Sequence, residues 1–206
     1  MIIDPAETAA ALFDMDGTLL DSSVAVVASW TEFAEDHGLD VEEVLHAVHG
    51  VRAVESVARF LPAELVEAET AKLLEREMHL TEGIVEIAGA AALLEALPAA
   101  GVPVAIVTSA PRDLAIVRLE AAGIPIPPVF VTGDDVERGK PAPDCYLLAA
   151  ERLGADPARC VVFEDSEAGL RAGLAAGARV VVVGPYASET TQSLARLADY
   201  REVTVA

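Results

Sequence analysis

Short apolar segments alternate with amphipathic helical segments along most of this 206-residue chain. The apolar segments have the length of β-strands and are rich in Val, Ala and Ile. They occupy residues 9–13, 102–107, 128–132, 160–163 and 180–183. Strands that are apolar on both faces and are separated by helices are typical of a parallel sheet covered by helices on both sides. We therefore predict an α/β fold with a Rossmann-like parallel-sheet core.

One long stretch interrupts this alternation. Between residues 22 and 85, four helical patterns follow one another without a strand signal between them. They cover residues 22–38, 40–47, 51–61 and 65–78. Helices also separate the later strands, at residues 88–100, 111–122, 144–153 and 166–176. We predict an all-helical domain at residues 21–85, inserted into an α/β core formed by residues 1–20 and 86–206.

The composition excludes several classes of function. The chain has 14 Lys and Arg against 34 Asp and Glu, a net charge of −20, which would repel nucleic acid. No apolar run approaches the ~20 residues of a membrane helix, and residues 1–7 lack the basic residues of a secretory signal. We expect a cytoplasmic protein without nucleic-acid or membrane partners. Cys145 and Cys160 have no metal-type spacing, so we expect two reduced, buried thiols.

Two carboxylates stand where the first core strand should end. Asp14 and Asp16 follow the apolar residues 9–13 and precede Gly17 and Thr18. The segment could be a simple turn, since Asp and Gly are common turn residues. Alternatively, both acids face a crevice at the carboxyl end of a parallel strand, where open α/β sheets bind their ligands.

Later strands also end in polar residues, which favours the second interpretation. The carboxyl ends of three predicted strands carry Asp14 and Asp16, Thr108 and Ser109, and Glu164 and Asp165. These ends converge when the strands are parallel. Four carboxylates in one crevice would repel one another unless a divalent cation lies among them, and oxygen ligands suit Mg²⁺ rather than zinc. An acidic crevice without a cation is the alternative.

Lys140 is the second feature that indicates chemistry. It is one of only two lysines, the other being Lys72, and it lies in a loop stiffened by Gly139, Pro141 and Pro143. A lysine held in this way can balance the carboxylates and bind the oxygens of a phosphoryl group. The alternative is an exposed loop lysine. The segment is not a phosphate-binding P-loop, because its glycine spacing differs and Pro141 stands where Ser or Thr is needed.

The helical domain offers one candidate for ligand contact. His49, Gly50, Val51 and Arg52 form a polar loop between two helices that could face a ligand. The other three histidines are expected to be ordinary helix residues.

In the order of its strand-end acids, its loop lysine and its helical insertion, the chain resembles the haloacid dehalogenase superfamily of phosphohydrolases over essentially its whole length. Four motifs carry the resemblance, in this order: Phe13-Asp14-Met15-Asp16-Gly17-Thr18, Val107-Thr108-Ser109, Gly139-Lys140-Pro141, and Phe163-Glu164-Asp165-Ser166 followed by Gly169. The helical insertion resembles the cap domain of the β-phosphoglucomutase-like branch. Within that branch, residues 49–52, 81–84 and 107–109 look most similar to those of bacterial sugar-phosphate phosphatases and yeast-type glycerol-phosphate and deoxyglucose-phosphate phosphatases.

The resemblance implies a Mg²⁺-dependent phosphatase that acts on a small phosphorylated sugar or polyol. Asp14 would be the nucleophile that forms an aspartyl-phosphate. Asp16 would protonate the leaving oxygen and then accept a proton from water. The Asp14 carboxylate, the Asp16 backbone carbonyl and Asp165 would hold Mg²⁺, with Glu164 as a ligand or as a partner of the ligands.

The resemblance also assigns the remaining candidates. Thr108, Ser109 and Lys140 would surround the phosphoryl oxygens. The cap would close over the sugar and carry specificity, with His49 and Arg52 as first candidates for substrate binding. A monomer is expected, with an oligomer as the open alternative.

Several alternatives share the fold. A phosphomutase has the same core motifs but needs a cap that admits a bisphosphate, and the few basic residues in this cap favour hydrolysis. A dehalogenase does not need Asp16, and a phosphonate hydrolase needs a cap lysine, for which only Lys72 is available. A catalytically inactive binding protein is disfavoured because all the chemical residues are present.

Overall fold

The centre of the fold is a parallel β-sheet, seen in a computed structural model that describes residues 1–206. The chain forms ten strands: β1 (Ile2–Ile3), β2 (Ala10–Phe13), β3 (Leu20–Asp21), β4 (Val85–Glu86), β5 (Val104–Val107), β6 (Val129–Val131), β7 (Cys160–Glu164), β8 (Arg179–Val183), β9 (Ala195–Leu197) and β10 (Thr204–Val205). Six of them form the central sheet in the order β6-β5-β2-β7-β8-β9, and every pair is parallel. The predicted α/β fold with a Rossmann-like parallel-sheet core is confirmed.

Eight α-helices accompany the strands. They are α1 (Ser23–Asp36), α2 (Val41–Ala47), α3 (Ala53–Phe60), α4 (Ala63–His79), α5 (Ala90–Ala99), α6 (Arg112–Ala122), α7 (Asp144–Leu153) and α8 (Glu167–Ala175). Each predicted helix is present with both ends within two residues of the predicted ones. None of the helices combines the length and the apolar character that a membrane span requires.

The helix ends follow from local side-chain and backbone chemistry. The Asp40 side chain accepts a hydrogen bond from the backbone N–H of Glu43 at the start of α2, and Ser166 does the same for Gly169 in α8. Helix α7 ends at Gly154, whose left-handed φ of +65° costs an L side chain but not glycine. These signals place the starts of α2 and α8 and the end of α7 close to the predicted positions.

The sheet is buried on both faces, as apolar strands require. On one face, the rings of Phe13 and Phe163 stack with centroids 4.6 Å apart, and Tyr200 packs edge-on against both. On the other face, Tyr146 and the buried thiols of Cys145 and Cys160 pack with Val and Ala side chains of the strands. Both cysteines are free. The central strands are thereby fixed, and so are the positions of the residues that follow them.

Helices α1 to α4 lie between β3 and β4 and have an apolar core of their own. Trp30, Phe33 and Leu73 are among its buried residues. Strands β3 and β4 pair with each other in antiparallel orientation, so the chain leaves and re-enters the core at neighbouring points. The predicted domain limits, 20/21 and 85/86, fall within this strand pair, and the domain division itself stays a prediction.

Candidate active site

The candidate site lies at the carboxyl ends of three adjacent strands. Strand β2 pairs with β5 on one side and with β7 on the other. Asp14 follows β2 directly, Thr108 follows β5, and Glu164 is the last residue of β7. After β2 the chain adds β5 and β6 on one side of it and then β7, β8 and β9 on the other side. The strand order therefore reverses at β2, and parallel sheets bind ligands at the carboxyl ends of the strands at such a switch point.

Lys140 joins the ends of all three strands. Its Nζ donates hydrogen bonds to Asp14 Oδ1 at 2.5 Å, to Glu164 Oε1 at 2.6 Å and to the carbonyl oxygen of Val107 at 3.2 Å. These three acceptors use all three hydrogens of the ammonium group. The side chain is 1% exposed, so it is a buried ion-pair partner and not an exposed loop lysine. Burial opposes its charge, but Asp14 and Glu164 together raise the pKa of Lys140.

Both carboxylate oxygens of Glu164 accept hydrogen bonds from neighbouring residues. Oε1 accepts from Lys140 and from the hydroxyl group of Tyr146 at 2.8 Å. Oε2 accepts from the backbone N–H of Asp165 and from both the N–H and the hydroxyl of Ser166. Gly169 leaves room for the carboxylate, since a Cβ there would lie 1.6 Å from Glu164 Oε1. Glu164 therefore orients Lys140 and the turn after β7.

Three carboxylates lie close together near this lysine. One oxygen each from Asp14, Glu164 and Asp165 lies within 4.8 Å of the others. Burial, with the neighbouring charge of Glu164, raises the pKa of Asp14 to about 8, even though Lys140 opposes the shift. Burial and the charges of Glu164 and Asp14 likewise raise the pKa of Asp165 well above its usual range. One lysine does not balance three acids, and a cluster of carboxylate oxygens with excess negative charge fits a hard divalent cation such as Mg²⁺.

Asp165 has few partners of its own in the protein. Its Oδ1 accepts one long hydrogen bond, from Thr18 Oγ1 at 3.3 Å. The carboxylate packs against Gly17, where a Cβ would lie 2.0 Å from Asp165 Oδ2. This leaves lone pairs of the partly buried carboxylate available to a ligand.

The Asp16 side chain lines the same cavity as Asp14 and Asp165, but it is not among the three acids whose oxygens lie within 4.8 Å of one another. Asp16 Oδ1 accepts from Ser22 Oγ at 2.6 Å and from Arg118 Nη1 at 2.9 Å. Ser22 and the buried Arg118 thus connect this carboxylate to α1 and α6. Its side chain faces the cavity that opens between the core and the helical domain.

This cavity has a volume of about 180 Å³ and reaches from the strand ends to the helices above them. Since a single water needs only roughly 10–15 Å³ on the same scale, the space suits a small organic molecule. From the core, Asp14, Asp16, Thr108, Ser109 and Asp165 line it. From the helical domain, Trp30, His49, Gly50 and Glu77 line it.

The two residues after β5 differ in their partners. Thr108 is buried, and its Oγ1 accepts from the backbone N–H of Ala110. The Ser109 hydroxyl donates a hydrogen bond to the carbonyl oxygen of Gly50 at 2.9 Å, which links the end of β5 to the loop between α2 and α3.

His49 lies in the lining of the cavity, and desolvation there together with His46 lowers the pKa of His49.

Arg52, the second predicted substrate contact, does not line the cavity beside Asp14. Its guanidinium group bonds to Glu55 Oε1 and to the carbonyl oxygens of Val136 and Glu137 in the core loop before Lys140. These acceptors hold the side chain along the outer junction of the two parts of the molecule. In this conformation Arg52 connects the start of α3 to the loop before Lys140, and its assignment to substrate binding stays a prediction.

Three residues of the site were missed in the sequence. Arg118 and Glu77 come from α6 and α4, and both are buried at the cavity, with Arg118 Nη2 3.2 Å from Glu77 Oε2. Tyr146 of α7 supports Glu164. A signal was available for the two charged residues: Arg118 follows Leu114 by four positions and Glu77 follows Leu73 by four, so each lies on an apolar helix face.

Comparison with known families identifies the class of this protein as a hydrolase. The family model described as haloacid dehalogenase-like hydrolase matches residues 8–177. The chain belongs to this family, and the resemblance found in the sequence is confirmed.

Individual relatives and structures agree with this assignment. Hexitol phosphatase A of Escherichia coli is 49% identical over 175 residues, which cover 84% of this chain and 81% of that protein. Glycerol-1-phosphate phosphohydrolase 2 of Saccharomyces cerevisiae is 39% identical over 183 residues, covering 84% and 73%. Among solved structures, CbbY from Rhodobacter sphaeroides in complex with phosphate matches with a TM-score of 0.82 and 30% identity, over 95% of this chain and 96% of that one.

Proposed function

We propose that this protein is a Mg²⁺-dependent phosphatase that hydrolyses the phosphate monoesters of small sugars or polyols through an aspartyl-phosphate. The observation that carries the proposal is the grouping of Asp14 and Asp165 at one end of the cavity, with the buried Lys140 hydrogen-bonded to Asp14. A carboxylate nucleophile, acids for a cation and one fixed ammonium are the groups that phosphoryl transfer needs. The names of the two relatives given above, a hexitol phosphatase and a glycerol-1-phosphate phosphohydrolase, support this substrate class.

The chain's own residues account for the first half of the reaction. An Asp14 oxygen attacks phosphorus and forms the new P–O bond while the bond from phosphorus to the sugar oxygen breaks. Asp16, which faces the same cavity, donates a proton to the departing oxygen. Lys140 orients Asp14 through its 2.5 Å hydrogen bond and adds positive charge beside the transferred group.

The second half restores the enzyme. Asp16 accepts a proton from a water molecule as that water attacks the phosphorus of the aspartyl-phosphate, which releases inorganic phosphate and the free Asp14 carboxylate. Thr108 and Ser109, at the end of β5, lie beside the transferred group. The helical domain covers the cavity and limits access of bulk water.

Asp14, Asp165 and the backbone carbonyl of Asp16 would hold the metal, with Glu164 supporting the site through Lys140 and the backbone after β7. When bound, Mg²⁺ supplies positive charge that lets an anionic nucleophile approach an anionic phosphate. The excess of buried acid over base at this end of the cavity supports that assignment.

A phosphate-release screen tests the proposal. The purified protein is incubated with a panel of hexose, hexitol and glycerol phosphates, with MgCl₂ or with EDTA. We expect inorganic phosphate from polyol or sugar phosphates with MgCl₂ and none with EDTA. Glucose 1-phosphate with a bisphosphate primer is included, because isomerisation without phosphate release would identify a phosphomutase and overturn the proposal.

A further inference from the structure

A buried arginine and a buried glutamate meet in the lining of the cavity. Arg118 belongs to α6 of the core, Glu77 belongs to α4 of the helical domain, and each side chain is 5% exposed. Ser29 of α1 donates a hydrogen bond to Glu77 Oε1 at 3.0 Å, which fixes that carboxylate. Burial raises the pKa of Glu77, although Arg118 and Ser29 oppose the shift. The pair thus joins the two walls of the cavity.

The hydrogen bonding of this pair is incomplete. Arg118 Nη1 is bonded to Asp16, but Nε and Nη2 are buried and have no acceptor. Nη2 lies 3.2 Å from Glu77 Oε2, close enough for charge attraction but not aligned for a hydrogen bond. A buried donor without an acceptor destabilises a folded protein, so these N–H groups favour a ligand that supplies oxygen atoms.

The charges of the side chains around Arg118 and Glu77 determine whether an anionic group or a neutral hydroxyl group fits there. The ionisable side chains that line the cavity beyond the strand ends are Asp21, Glu77, His49 and Arg118. Arg118 already faces the two acids Asp16 and Glu77, and the lowered pKa of His49 favours its neutral form. This part of the cavity therefore has no free cation for a second anionic group. Hydroxyl groups, which both donate and accept, match an open N–H beside a carboxylate oxygen.

We propose that Arg118 and Glu77 bind the substrate hydroxyl group on the carbon adjacent to the ester carbon, which is the carbon that carries the phosphate. Binding of this hydroxyl group would select polyol and sugar phosphates. This inference rests on the proposed function, in which Asp16 acts on the ester oxygen. Nη1 of Arg118 is bonded to Asp16, and Nη2 lies at the cavity without a hydrogen-bond acceptor. Because Nη1 and Nη2 belong to one planar guanidinium group, a substrate ester oxygen at Asp16 brings a hydroxyl on the neighbouring carbon close to Nη2 and Glu77.

Two esters that differ in one hydroxyl group test the inference. Glycerol 1-phosphate carries a hydroxyl on the carbon next to the ester carbon, and 3-hydroxypropyl phosphate lacks only that group. The ratio of kcat/KM for the two esters is measured on the same enzyme preparation, so it does not depend on the folded fraction. We expect the wild type to prefer glycerol 1-phosphate by at least about tenfold, because the second ester leaves buried polar groups unpaired.

Two variants assign this preference to the pair. Glu77→Gln removes the charged acceptor, and Arg118→Lys removes the second arm of the guanidinium fork while keeping the charge. We expect the ratio to fall several-fold in each. Glu75→Gln is the matched control, since Glu75 lies on the same helix but is exposed, and its ratio should equal that of the wild type.

The outcomes separate the two proposals. If the wild type hydrolyses both esters with equal kcat/KM, or if the ratio stays at its wild-type value in both Glu77→Gln and Arg118→Lys, the hydroxyl site is wrong while the phosphatase proposal stands. If the wild type releases phosphate from neither ester, nor from any of the sugar and polyol phosphates, the proposed function fails and the hydroxyl site fails with it.

Discussion

Gly17 and Asp165 approach each other so closely that no side chain fits between them. A Cβ on Gly17 would lie 2.0 Å from Asp165 Oδ2, and Gly17 also has a φ of +76°. Gly17 lies in the loop after β2, and Asp165 lies in the turn after β7. The bare backbone at Gly17 therefore allows a carboxylate from the neighbouring strand end to reach the site.

Gly17→Ala should damage the site more than the fold. An alanine at this φ costs about 1–2 kcal/mol in any protein, but here it must also displace Asp165. We expect kcat/KM with Mg²⁺ to fall at least about tenfold and the Mg²⁺ concentration for half-maximal activity to rise. Gly38→Ala is the control, because Gly38 has a φ of +64° and a Cβ added there would meet no atom within 4 Å. Equal activity losses in the two variants would show that only backbone strain matters at Gly17.

Lys140→Met should destabilise the protein as well as inactivate it. Removing the ammonium leaves Asp14 and Glu164 buried without their shared partner, and breaking a buried ion pair in this way costs about 3–5 kcal/mol. Urea unfolding measures the loss. Added MgCl₂ should restore part of it, since a cation that binds the folded acids stabilises the folded state. Lys72→Met, at an exposed lysine, should change the free energy of unfolding by less than about 0.5 kcal/mol. A similarly small change in Lys140→Met would contradict the structure.

Glu167 should stabilise the fold in a pH-dependent way. Hydrogen bonds from the hydroxyls of Ser188 and Thr190 lower the pKa of Glu167 to about 2. In the unfolded chain a glutamate has a pKa of about 4.3, so the charged form stabilises the folded state above that pH, and this contribution is lost as the pH falls through 2. The thermal unfolding midpoint, Tm, of Glu167→Gln should be lower than that of the wild type at pH 6. This difference in Tm should narrow steadily below pH 5. A difference that is constant from pH 6 to pH 3 would refute this role.

The central fold could be predicted because its signals are local. Apolar strands such as β8, bounded by helices that end at glycines such as Gly154, identify a parallel sheet without knowledge of the partners. The short outer strands β1, β9 and β10 were missed. Strands β1 and β10 have two residues each and pair with each other across the whole chain, and β9 is largely exposed, so no periodic pattern marks them.

The site could be predicted only where it coincides with a strand end. Asp14, Thr108 and Glu164 were placed correctly because parallel strands bring their carboxyl ends together. Contacts between helices leave a weaker signal. The bond from Arg118 to Asp16 spans 102 positions and depends on how α6 packs against the loop after β2. The bonds from Arg52 to the carbonyl oxygens of residues 136 and 137 depend on how the start of α3 packs against the loop before Lys140.

The most direct test of the account replaces the proposed nucleophile. Asp14→Asn keeps the size of the side chain and removes the charge that attacks phosphorus, while Lys140 and Asp165 remain. Initial rates of phosphate release from the best substrate of the panel are compared for Asp14→Asn and wild type with MgCl₂. Loss of at least about a thousandfold in kcat, with a folded variant by circular dichroism, is the predicted result. A folded Asp14→Asn variant that keeps more than about a tenth of the wild-type rate would contradict the central claim.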